Sequence, residues 1–176
     1  MRVFILIVLA YFLIGCQSSW RQGFRLVEAG ALNNTVTVWQ ILKLTTGNGA
    51  QVYNAVLDVS EQTTQLILFS PLGHRMATAI STNGTLSFEK SVPFKLAMAA
   101  DELLLVMQLC YWPADILRDA LQSSDLVLVD GVNGREIYKD ENKLASVTYR
   151  AGEGWNRTFY FESSDGKQLL IESKRI

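Results

Sequence analysis

KLAMAADELLLVMQLCYW, Lys95–Trp112, is the stretch on which the fold turns. It is apolar with little alternation and rich in Ala, Leu and Met rather than β-branched residues. It is also too long for one strand, so its pattern predicts helix. Asp101 and Glu102 suit a helix start, where carboxylates oppose the macrodipole favourably. Pro113 ends the stretch and suits the first turn of a second helix, Pro113 to Gln122, which would bury Ile116, Leu117, Ala120 and Leu121.

On both sides of these helices the pattern is β. Before them come Thr35 to Leu44, Gln51 to Ser60, Leu66 to Phe69, Arg75 to Thr82 and the pair Leu86/Phe88. Turn signals separate them at Gly47-Asn48-Gly49, Pro71-Leu72-Gly73 and Asn83-Gly84, the last a favoured two-residue hairpin turn. After the helices come Leu126 to Val129, Glu136 to Tyr138, Leu144 to Arg150, Trp155 to Glu162 and Leu169 to Ile171, with turns at Asn133-Gly134, Gly152-Glu153-Gly154 and Asp165-Gly166. Strands, two helices, then strands again predict a mainly β chain with some α, an α+β fold. Its form is a curved antiparallel sheet with helices against the concave face.

A helix apolar all round must be covered all round, and the sheet covers one side only. The remainder needs a second helix, a lipid or a partner. Met98, Leu104, Leu105, Met107, Tyr111, Trp112, Ile116 and Leu117 are the residues concerned. They form either ordinary core or the walls of a hydrophobic cleft, and methionine adapts to irregular apolar ligands.

The N-terminus carries an address. Arg2 precedes a continuous apolar run, Val3 to Ile14, shorter than the about 20 residues a spanning helix needs. Its length fits the core of a signal peptide. Leu13-Ile14-Gly15-Cys16 resembles the bacterial lipobox, which implies cleavage before Cys16 and a thioether link from Cys16 to diacylglycerol. The plainer alternative is a signal anchor with an incidental cysteine. With two or more acyl chains such an anchor holds stably. Gln17 rather than aspartate follows, which in similar lipoproteins of Gram-negative bacteria accompanies sorting to the outer membrane. Residues 1–15 are thus read as a signal peptide, 16–23 as a lipidated tether and 24–176 as one domain.

Little else announces chemistry. Sixteen Lys and Arg against seventeen Asp and Glu give no basic surplus to capture nucleic acid. Cys110, the second cysteine, lies among apolar residues and reads as a small buried hydrophobe. His74 is the sole histidine and reads as a solvated loop side chain. No Cys/His spacing offers a metal site and no Gly-x-Ser-x-Gly elbow is present. The chain is therefore expected to be non-enzymatic, with no cofactor and no metal. Arg157, among aromatics on its strand, reads as a surface neighbour or a contact for a headgroup.

In Ser70-Pro71-Leu72-Gly73, Pro at the second turn position and Gly at the fourth fit a type I turn, leaving Leu72 at the tip. Leu72 then either folds back onto a neighbouring element or is a wedge offered to a membrane or partner. The segment Leu66 to Gly73 resembles the strand–Pro-Leu-Gly–strand region of the LolB-like proteins of the LolA/LolB superfamily. Lys143 to Tyr149, followed by Gly154-Trp155-Asn156, resembles a second strand pair of that family. Similar outer-membrane lipoproteins are associated with aryl-polyene biosynthesis clusters.

The resemblance implies an antiparallel half-barrel with a helical lid over a cavity for acyl chains. It makes 24–176 a LolB-like lipid-binding domain on the periplasmic face of the outer membrane. The implied cargo is a lipid, lipoprotein or polyene-lipid, received from a periplasmic LolA-like carrier. Pro71, Leu72 and Gly73 would form the membrane-insertion loop. The alternative class is a structural or assembly accessory that binds a protein partner through its apolar helices.

Overall fold

The computed structural model describes Trp20, residues 23–32 and residues 34–176. Among the described residues, ten strands form one antiparallel sheet: β1 (Val36–Thr46), β2 (Gly49–Val59), β3 (Thr63–Phe69), β4 (Arg75–Thr82), β5 (Thr85–Lys90), β6 (Leu126–Gly131), β7 (Gly134–Lys139), β8 (Asn142–Glu153), β9 (Asn156–Ser163) and β10 (Gln168–Arg175). Two α-helices, α1 (Ala100–Tyr111) and α2 (Ala114–Leu121), lie between β5 and β6. A 3₁₀ turn, Ala29–Leu32, precedes β1.

The strand order is β5-β4-β3-β2-β1-β10-β9-β8-β7-β6. Two five-strand meanders are therefore joined at the middle, where β1 pairs with β10 from Val38↔Arg175 to Thr45↔Gln168. The helices leave one outer edge, β5, and return the chain to the other, β6. α1 packs on β4 and α2 on β6, so both wings of the sheet reach one helical layer. A ten-stranded sheet manages this only by curling around the helices, the α+β half-barrel architecture expected from the sequence.

Local chemistry accounts for the elements. Along β1 burial alternates: Val36, Val38, Gln40, Leu42 and Leu44 face inward, while Trp39 and Ile41 stay partly exposed outside. Asn83 and Gly84 both have positive φ, 50° and 74°, the backbone that a two-residue turn needs to match strand twist. Inward residues of the two meanders, such as Leu57, Leu66, Val147 and Phe161, belong to one core cluster with α1.

α1 is shorter than the apolar run that announces it. Residues 95–99 are not helical, and the helix begins at Ala100. Met98 is nonetheless buried, so the run's apolar character continues through backbone that is not helical. Pro113 is the N-cap of α2 rather than its first residue. Leu104, Met107 and Leu109 are fully enclosed, each contributing about 2 kcal/mol by removal from water.

Three polar side chains fix α1 in place. Gln108 makes a two-point bond to the backbone of Val27, accepting from its N–H at 2.9 Å and donating to its carbonyl at 2.8 Å. Glu102, wholly buried, receives Lys167 Nζ at 2.9 Å on both oxygens. The last turn of α1 holds no basic residue. Arg135 of β7 supplies one from outside, its Nη1 donating to Leu109 O at 2.8 Å and Trp112 O at 2.6 Å.

Candidate functional site: a helix–sheet interior and an arginine-lined cleft

The eight residues singled out as cavity walls are brought together. Met98, Leu104, Leu105, Met107, Trp112 and Leu117 belong to the central apolar cluster, and Tyr111 and Ile116 pack against it half-buried. α1 is the reason: ten of its residues are buried, all apolar but Glu102 and Gln108, and they line the inside of the sheet. Cys110 lies here too, a free, buried thiol that burial holds well above its usual range and hence protonated. Cys16 and residues 1–15 lie outside the described residues.

The Pro71-Leu72-Gly73 turn is closed by Gly73 N–H donating to Ser70 O at 2.9 Å and Ser70 N–H donating to His74 O at 2.8 Å. His74 N–H also donates to Ser70 Oγ at 3.2 Å. Leu72 stands at the tip with 86% of its surface exposed, so it does not fold back onto a neighbour. Because strands alternate in direction, this turn lies at the same end of the sheet as the turns after β1, β7 and β9.

The opposite end holds a cleft of about 320 Å³. Tyr111 and Cys110 at the end of α1, Asp130 and Arg135 of the β6–β7 hairpin, and Tyr149, Trp155, Arg157 and Phe159 of the β8–β9 hairpin line it. Leu32 and Asn34, where the chain enters the sheet, complete one side. Tyr111 stacks on Trp155 with centroids 4.5 Å apart and planes at 16°, and meets Phe159 edge-on at 4.9 Å. The Tyr111 hydroxyl bonds Ser173 Oγ and accepts from Gln40 Nε2 at 2.9 Å. Burial raises that hydroxyl well above the ordinary tyrosine range, with the Ser173 bond opposing it.

Both cleft arginines lie over one ring. The guanidinium carbons of Arg157 and Arg135 are 5.0 Å and 5.8 Å from the Tyr149 centroid. Arg135 also donates through Nε to Asp130 Oδ1 at 2.8 Å. Arg157 Nε donates to Gly152 O at 3.1 Å. Burial pushes the Tyr149 hydroxyl upward in pKa, and the two arginines pull it back.

Of these residues the sequence reading offers Tyr111 as a ligand contact and leaves Arg157 open between a surface neighbour and a headgroup contact, while Cys110 is read as a buried hydrophobe and Trp155 enters through the resemblance. It misses Arg135, Asp130 and Tyr149. Arg135 shares a strand face with Ile137, and that period of two was the available signal that its guanidinium points inward.

A family model described as "Protein of unknown function (DUF3261)" matches residues 37–175, nearly the whole sheet and both helices. None of the curated proteins matches the chain. Among solved structures, the chain is similar to a crystal structure from Vibrio parahaemolyticus named for an outer membrane lipoprotein-sorting protein domain. The two share 13% identity, over 81% of this chain and 85% of that one, with a TM-score of 0.39.

Proposed function

The chain belongs to the DUF3261 family, and we propose that it is a non-enzymatic lipoprotein of the outer membrane that holds acyl chains between its curved sheet and helices. The observation that carries this reading is α1: a helix whose buried residues are apolar apart from Glu102 and Gln108, set inside a half-barrel whose two edges, β5 and β6, do not pair with each other. An acyl chain that slips beside such a helix meets mostly carbon, and each methylene kept from water contributes about 0.8 kcal/mol. The bilayer offers the same environment, so cargo moves by partition rather than by chemistry. Cys16, carrying the anchor, keeps the domain at the membrane surface, and Leu72 is the contact through which cargo passes into the lipid. Lipoproteins handed over by a LolA-like carrier, or other acylated molecules, fit this mechanism.

Lipid extraction and native mass spectrometry of the full chain purified from membranes test the reading. The expected result is a bound acyl species in addition to the anchor. Chains that carry their anchor and nothing else would sink it. Rescue of a LolB-depleted strain tests the lipoprotein-acceptor form separately.

One observation favours a second reading. Val127 and Val129 on edge strand β6, with Val132 at its hairpin tip, are all exposed. A free edge bearing three valines suits a protein partner that adds a strand. Loss of a co-purifying protein on Val127→Lys, with lipid binding unchanged, would support that role.

A further inference from the structure

We propose that the cleft at the Arg157 end of the sheet binds the anionic headgroup, phosphate or carboxylate, of an amphiphile, with Arg157 as the contacting cation. This deepens the acyl-binding reading and rests on it.

The arginine is held ready for a ligand. Its Nε is tied to Gly152 O at 3.1 Å and its guanidinium lies over the Tyr149 ring, so its orientation is set before anything binds. Gly152 belongs to a register shift between β8 and β9 and has φ +88°. A Cβ there would fall 1.9 Å from Asn156 O, so only glycine lets the two strands approach closely enough to present that carbonyl. Among the described residues Arg157 pairs with no carboxylate, and its two terminal nitrogens make no hydrogen bond. A guanidinium offers those nitrogens as a fork that matches phosphate or carboxylate oxygens.

The other charges in the cleft do not cancel it. Arg135 and Asp130 neutralise each other at 2.8 Å, and Arg135 Nη1 is spent on the two carbonyls at the end of α1. The cleft is therefore net cationic at Arg157. Its remaining walls are Leu32, Cys110, Phe159 and the Tyr111–Trp155 stack. Such rings, apolar in body and polar at the tip, suit the boundary between a headgroup and its chain. A cavity of about 320 Å³ takes a headgroup with the first carbons of a tail. It lies where residue 34 enters the sheet.

The test titrates the full chain, in nanodiscs of phosphatidylcholine with empty discs as the blank, by calorimetry. Three probes are used: octyl phosphate, octyl glucoside and inorganic phosphate. Octyl phosphate is expected to bind about tenfold more tightly than octyl glucoside, and Arg157→Gln to reduce that preference to about twofold or less. Inorganic phosphate is expected to bind too weakly to measure. Inorganic phosphate matching octyl phosphate would overturn the amphiphile in favour of a free anion. Equal binding of the two octyl compounds, or a preference untouched by Arg157→Gln, would overturn the headgroup site while leaving acyl binding standing. Failure of both octyl compounds would remove the acyl reading as well. Circular dichroism of Arg157→Gln, expected to match the parent, guards against a folding effect, and Arg157→Lys, which keeps charge but not the fork, is expected to retain part of the preference.

Discussion

Gln40, the one polar side chain on the buried face of β1, donates through Nε2 to the hydroxyl of Tyr111 at the far end of α1, 2.9 Å away. Ser173 of β10 bonds the same hydroxyl. The three residues join the middle of the sheet to the helix in a place otherwise apolar. A polar group in that setting is costly to leave unpaired.

Tyr111→Phe is therefore expected to destabilise the fold by about 1–2 kcal/mol in chemical denaturation, because Gln40 stays buried with fewer partners. The pH dependence follows from the raised hydroxyl. Folding favours the neutral phenol, so its contribution is intact below the ordinary tyrosine value of 10.0 and declines as pH rises beyond it. The alkaline loss of stability should be smaller in Tyr111→Phe. An identical alkaline limb in both proteins would contradict this.

Arg135→Met is expected to cost about 3 kcal/mol, since it strips donors from the carbonyls of Leu109 and Trp112 and leaves Asp130 without its ion partner. Arg135→Lys should recover only part, because an ammonium cannot span both carbonyls and the carboxylate. Denaturant midpoints of the two variants decide it. Equal stability of Lys and Arg would argue that the bonding geometry is unimportant.

Lys167 sits between Glu102 and Asp165, at 2.9 Å from each. Lys167→Met is expected to lose about 2 kcal/mol, less than for a fully enclosed pair because Lys167 keeps some contact with water. Burial alone would raise the Asp165 carboxyl, but the Ser163 hydroxyl and Lys167 outweigh it and hold the group below the usual carboxylate value. Its stabilisation is present above pH 3.8 and is lost as pH falls through the lower folded value. Acid unfolding of Lys167→Met should show a shallower limb in that range.

Leu72→Ser should leave stability unchanged to within about 0.5 kcal/mol, because the side chain has no packing to lose. If Leu72 enters the bilayer, burial of a leucine is worth about 2 kcal/mol, so delivery of acylated cargo to vesicles should slow by about thirtyfold. A fluorescent acyl donor measures the rate. Unchanged delivery would remove the wedge and leave Leu72 a solvated turn residue.

The sheet was largely legible because its determinants are local. Asn83-Gly84 demands a tight hairpin whatever surrounds it, and the alternation along β2 or β9 depends only on neighbours two residues away. Asp101 and Glu102 do stand in the first turn of α1, but the apolar run begins five residues before the helix, because apolar character records burial, not backbone geometry. Met98 is buried without being helical. The cleft was mostly hidden for a different reason. Arg135 answers to Leu109 and Trp112, and Tyr111 to Gln40 and Ser173, partners brought near only by the whole topology. A polar residue whose partner is far along the chain has no pattern to betray it.

The pairing of β1 with β10 has a kinetic consequence. Each five-strand meander can form from contacts between neighbours, but their shared seam joins the first strand of the sheet to the last. Closing it brings together Val38 and Arg175, with nearly all the domain in between. High sequence separation of that kind slows folding and leaves both seam edges exposed in the interim. The polypeptide therefore cannot commit to its native state until β10 has emerged. Until then β1 remains an open edge.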